Sequence, residues 1–73
     1  MNKEILRMQI RLFRLACKKW NKKTLECAEI FDKYDVDKYI SELYELFHVQ
    51  GDDANLDDIE TYLENNNAGY IIR

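Results

Sequence analysis

The sequence predicts an all-α fold, a small bundle of about four helices with short connections, and three observations predict it. Apolar residues recur at spacings of three and four, there is no proline among the 73 residues, and glycine occurs only at Gly51 and Gly69. A period near 3.6 marks helices with a buried face, whereas strands alternate with a period of two. With 47% apolar and 34% charged residues, the chain is too hydrophobic to be disordered. It reads as a single domain, 1–73, near the lower size limit at which a core sustains itself.

The first helix is read over 3–20, KEILRMQIRLFRLACKKW. Ile5, Leu6, Met8, Ile10, Leu12, Phe13, Leu15, Ala16, Cys17 and Trp20 fan over about 220° of its circumference at 100° per residue. That is more apolar surface than one neighbour covers, so this helix is expected at the centre. Lys3, Arg7, Arg11, Arg14 and Lys18 share the remaining sector and make its wet face cationic. Thr24 is the expected N-cap of a second helix over 24–33, with Glu26 in its first turn. Leu25, Ala28 and Phe31 give that helix its seam, with Cys27 and Ile30 on a flank.

Asp35 is the cap candidate for a third helix over 36–49. Its seam is Val36, Ile40, Leu43 and Phe47, and Asp37, Glu42 and Glu45 line its outer side. Gly51 supplies a stop. Asn55 then caps a fourth helix over 56–65, with Asp57 and Asp58 in its first turn and Leu56, Ile59 and Leu63 as its buried edge. The apolar tail, 68–73, either folds back as a lid or frays.

The net charge of −3 conceals a segregation. Residues 1–23 carry eight Lys and Arg against Glu4 alone, whereas 24–73 carry thirteen acids against Lys33, Lys38 and Arg73. Either the acidic helices neutralise the basic one internally or across a homodimer, or the charges face outward to a partner. No apolar run approaches the roughly 20 residues of a membrane span, and Arg7, Arg11 and Arg14 interrupt any signal-peptide core. A helix lying on a membrane surface is also disfavoured, because the core needs its wide apolar sector. A cytoplasmic protein with Cys17 and Cys27 reduced is expected, a disulfide between them being the alternative.

Chemistry-bearing residues are sparse. His48 is the only histidine; it is read either as an acid/base group oriented by Asp52 or Asp53, or as a last-turn histidine favoured by the helix dipole and resting on Tyr44. One histidine without a nucleophile gives catalysis little to stand on, so no catalytic residue and no cofactor are assigned. The acids Asp52, Asp53, Asp57 and Asp58 lack a calcium-loop register, since Gly51 precedes them rather than lying among them; no metal is assigned. Residues 24–41 superficially resemble a helix-turn-helix, but the second helix would present Asp35, Asp37, Glu42 and Glu45 to phosphate.

From Trp20 onward, LECAEIFDKYDVDKYISELYELFHVQGDDANLDDIETYL resembles a family of short uncharacterised bacterial proteins known only as a domain of unknown function. The resemblance runs from the first helix to Leu63, and its most recognisable piece is the segment from Tyr39-Ile40 to His48-Val49-Gln50-Gly51, followed by Asp57-Asp58-Ile59. It implies companions of adjacent genes, some encoding ADP-ribosyltransferase-like proteins, and so a toxin-neutralising or accessory role. The expected function is a non-enzymatic interaction module for one protein partner. Lys3, Arg7, Arg11, Arg14 and Lys18 form one candidate contact surface, and Asp37, Glu42 and Glu45 the other. A nucleic-acid-binding regulator using the same basic face is the alternative.

Overall fold

Five α-helices and a closing 3₁₀ turn make up the described residues, 2–72, of the computed structural model. They are α1 (Lys3–Lys19), α2 (Thr24–Lys33), α3 (Val36–Glu42), α4 (Tyr44–Gln50), α5 (Asp52–Asn65) and the turn Gly69–Ile72. The all-helical bundle is as expected, with one helix more. The stretch 36–49 is two helices, because Leu43 (φ −104°, ψ 15°) leaves α geometry between them. In the turn before the break, Ser41 Oγ donates to the Lys38 carbonyl at 2.9 Å, a side-chain bond that competes with the helical ladder.

Asparagine and aspartate, not glycine, end three of the helices. Asn21 (φ 53°), Asp35 (φ 51°) and Asn67 (φ 61°) occupy the left-handed region, which these residues tolerate better than most. After α1, Lys22 N–H donates to Cys17 O at 3.0 Å and Asn21 N–H to Lys18 O at 3.3 Å; after α5, Ala68 N–H donates to Leu63 O at 2.8 Å and Asn67 N–H to Glu64 O at 3.0 Å. Each pair satisfies carbonyls that the helix leaves free and turns the chain sharply back. Asp35 therefore terminates α2 and also holds the expected N-cap position of α3, but its side chain makes no capping hydrogen bond there.

The other cap expectations also change. Thr24 is the first residue of α2 and Lys23 holds the cap position, where Glu26 Oε1 accepts from the Lys23 N–H at 3.1 Å. α5 begins at Asp52 rather than at 56, so Asp52 and Asp53 occupy the first turn in place of Asp57 and Asp58. Asn55 does not cap its own helix: it is fully buried within α5, whose N-cap position is held by Gly51. α1 is capped by Asn2, whose Oδ1 accepts from the Glu4 N–H at 2.8 Å.

α1 packs against α2, α3 and α5, and is central in that sense. Its inward side is Met8, Leu12, Ala16 and Trp20, which meet Cys27, Ile30 and Phe31 of α2, Val36 and Ile40 of α3, Phe47 of α4, and Leu56, Ile59 and Leu63 of α5 in one core. The seam of α2 is rotated from the expected one: Cys27 and Ile30 join Phe31 inside, while Leu25 and Ala28 are exposed. The apolar fan of α1 is likewise only partly used. Leu6 and Ile10 remain 44% and 43% exposed. The described part of the tail, 68–72, folds back onto the core with Ala68 and Ile72 buried, and Arg73 lies outside the described residues.

Candidate functional site

Because the inward arc of α1 runs from Met8 through Leu12 to Trp20, the cationic residues on the opposite arc face solvent. Arg11 is held by α5: its Nε lies 2.8 Å from Asp52 Oδ2. Lys19, outside the expected stripe, lies 3.1 Å from Glu60 Oε1 and 3.5 Å from Asp57 Oδ1. The Glu60 hydrogen bond, more than any other contact, holds its ammonium above the ordinary pKa. Lys3, Arg7, Arg14 and Lys18 have no carboxylate within ion-pair distance among the described residues. The charge segregation is thus only partly resolved inside the fold.

These unpaired cations sit beside uncovered apolar surface. Arg7, Arg11 and Arg14 fence a shallow depression of about 400 Å³ that also reaches Ile10 and Leu15. At the C-terminal end of α1 a second groove, of about 570 Å³, is lined by Phe13, Arg14, Cys17, Lys18, Asn21, Lys22 and Thr24. Cys17 and Cys27 are both free thiols, and burial pushes the Cys27 thiol well up. A basic rim around apolar ground is suited to carboxylates that flank apolar side chains.

The acidic residues are less gathered than expected. Asp37 and Glu42 lie on α3 but Glu45 on α4, so the break at Leu43 separates a trio expected on one helix. Desolvation raises the Asp37 carboxyl above the ordinary range, and its backbone carbonyl accepts from Gln9 Nε2 at 2.8 Å.

His48 stacks on Tyr44, with ring centroids 5.5 Å apart and planes at 27°. Tyr44 donates to Glu4 Oε2 at 2.9 Å, and this bond, chiefly, raises the phenol pKa. Neither Asp52 nor Asp53 is bonded to His48; Asp52 is engaged by Arg11. Among the described residues no three His, Cys, Asp or Glu side chains gather as a metal site, and no helix is long and apolar enough to cross a membrane.

Two features of this region were missed from the sequence. Gln9 is buried and ties α1 to α3; a polar residue between apolar ones gave no signal of it. The Trp20 indole N–H donates to Glu60 Oε2 at 2.7 Å, joining α1 to α5.

A family model described as "Protein of unknown function (DUF3791)" matches residues 7–66. The match runs from Arg7 to just past the end of α5 and stops before the 3₁₀ turn. No curated protein and no solved structure matches the chain.

Proposed function

The chain belongs to the DUF3791 family of proteins of unknown function, and on that premise we propose that it is a non-enzymatic interaction module that binds one protein partner. The observation that carries this reading is the outward face of α1, where Lys3, Arg7, Arg14 and Lys18 lack carboxylate partners among the described residues beside the exposed Leu6 and Ile10. Charges that the fold does not neutralise steer and orient association more than they stabilise a monomer. Asp37, Glu42 and Glu45 are the second surface offered to the same partner. The setting we propose is the bacterial cytoplasm, and the product of an adjacent gene is the first partner to test, in an antitoxin-like or accessory role.

Affinity capture of the tagged chain from its native host at moderate salt tests this, with bound protein identified by mass spectrometry. One stoichiometric protein is expected. Its recovery should change by about tenfold or more when Arg7 and Arg14 become Glu, or when Asp37, Glu42 and Glu45 become Lys, with helicity kept. Indifference to both reversals would defeat electrostatic docking. The same unpaired cations are what a nucleic acid would meet, and recovery of nucleic acid alone, lost steeply as salt rises, would replace the protein-partner reading.

A further inference from the structure

Leu6, Ile10, Phe13 and Cys17 follow one another at intervals of four, three and four residues, which is the repeat of a two-helix seam. That seam is separate from the stripe of Met8, Leu12, Ala16 and Trp20 that faces the core. Leu6 and Ile10 are 44% and 43% exposed, and Phe13 and Cys17 are half-buried. The seam is pre-ordered at its lower end, where the Phe13 ring stands edge-on to Phe31 with centroids 5.1 Å apart. There it runs into the groove of about 570 Å³ that Arg14, Lys18 and Lys22 border.

The flanks of the seam decide what fits it. Arg7 and Arg14 each directly follow a seam residue, Leu6 and Phe13, so they hold the same heptad position seven residues apart. On the other flank Gln9 and Ala16 are buried in the protein itself. The one open flank is therefore cationic, and neither of its arginines has a carboxylate partner among the described residues. In a coiled-coil contact such flanking positions set partner choice.

We propose that this seam docks an amphipathic helix of another protein, apolar at four-three spacing and carrying Asp or Glu seven residues apart opposite Arg7 and Arg14. This rests on the interaction-module reading and names the partner's chemistry. A second copy of the chain is the wrong occupant on charge grounds. An antiparallel self-pair sets arginine flank against arginine flank, and a parallel one sets the arginines against a flank its own core occupies. From Leu6 to Cys17 the seam spans 12 residues, roughly 18 Å at about 1.5 Å per residue, just under two heptads.

Two experiments test it. The first is fluorescence anisotropy of the full chain with a labelled three-heptad peptide, leucine on its seam and Glu on both flanks, and with a twin bearing Lys for Glu. The Glu peptide should bind saturably, and R7E/R14E or I10E should weaken it by about tenfold or more, with unchanged circular dichroism. The Lys peptide should not bind. Equal binding of both peptides, equal binding by R7E/R14E, or tighter binding of a short DNA duplex than of the Glu peptide would overturn the proposal.

The second uses a photo-crosslinking amino acid in the native host, placed at Ile10 or at Val49, which is 79% exposed on α4. A protein trapped from position 10 through an amphipathic helix with acidic flanks supports the seam, and one trapped there through any other element refutes it. One trapped only from position 49 refutes the seam but leaves the interaction module standing, and none from either position, with none captured by affinity, defeats both. A dimer of the chain itself that I10E dissociates in sedimentation would assign the seam to self-pairing and also overturn the proposal.

Discussion

Replacing Asn55 with Ala removes the polar link between α4 and α5, and the structure sets the size of the loss. The Asn55 amide is fully buried and donates to the Phe47 carbonyl at 2.9 Å, while its Oδ1 accepts from Gln50 Nε2 at 2.9 Å. Phe47 lies in the last turn of α4, so its carbonyl has no intrahelical donor, and Asn55 acts as a cap supplied by the next helix. Gln50 keeps a second acceptor, Asp58 Oδ2 at 2.8 Å; the cost is therefore mainly the stranded carbonyl, about 1–3 kcal/mol for a buried group. With the small void added, about 2–3 kcal/mol is expected.

At roughly 4–8 °C per kcal/mol for a domain of this size, the melting temperature should fall by about 10–20 °C. Total stability of about 4–11 kcal/mol leaves the variant folded at low temperature, so the transition is measurable by circular dichroism at 222 nm. Gln50→Ala should cost less, because Asn55 still reaches Phe47. A melting temperature for N55A within a couple of degrees of wild type, or a larger loss for Q50A, would refute the argument.

Removing the acceptor of the Trp20 indole with Glu60→Ala should cost about 1–2 kcal/mol and red-shift the emission of the sole tryptophan, whereas Glu60→Gln, which keeps an acceptor, should restore most of both; equal losses would count against the bond. Gly51 stands at φ 93° and ψ 156° with open space where a Cβ would go, so Gly51→Ala is penalised by backbone strain rather than a clash, about 1–3 kcal/mol; an unchanged urea midpoint would contradict this. A thiol reagent should modify Cys17 alone in the native chain and both cysteines after unfolding, and rapid native modification of Cys27 would show that it is not shielded. Because burial raises the folded Cys27 thiol above its ordinary value of 9.0, its contribution to stability is fully present below about pH 9 and lost as pH rises further. Cys27→Ala should remove that part of the pH dependence.

The helical class, the positions of most helices, the inward residues Ile40, Phe47, Ile59 and Leu63 and the cationic stripe of α1 were legible in the sequence, because hydrophobic period and charge are properties of neighbours three and four residues apart. The start of α3 at Asp35 was legible too, but not that Asp35 takes the left-handed region and caps nothing with its side chain, since Asx residues serve both as N-caps and as left-handed C-terminal stops. The break at Leu43 was not legible: no glycine or proline marks it, and the apolar seam continues through it from Ile40 to Phe47. Which part of the apolar arc of about 220° is covered depends on how the other helices pack. Helices α2, α3 and α5 close over Met8, Leu12, Ala16 and Trp20 and leave Leu6 and Ile10 beside Arg7 and Arg14. Likewise only three-dimensional proximity pairs Arg11 with Asp52 and Lys19 with Glu60 and leaves four other cations of the same helix without a partner among the described residues. Periodicity can say that a face is apolar or charged, but what meets that face depends on residues 40 positions away and on the volume their helices fill.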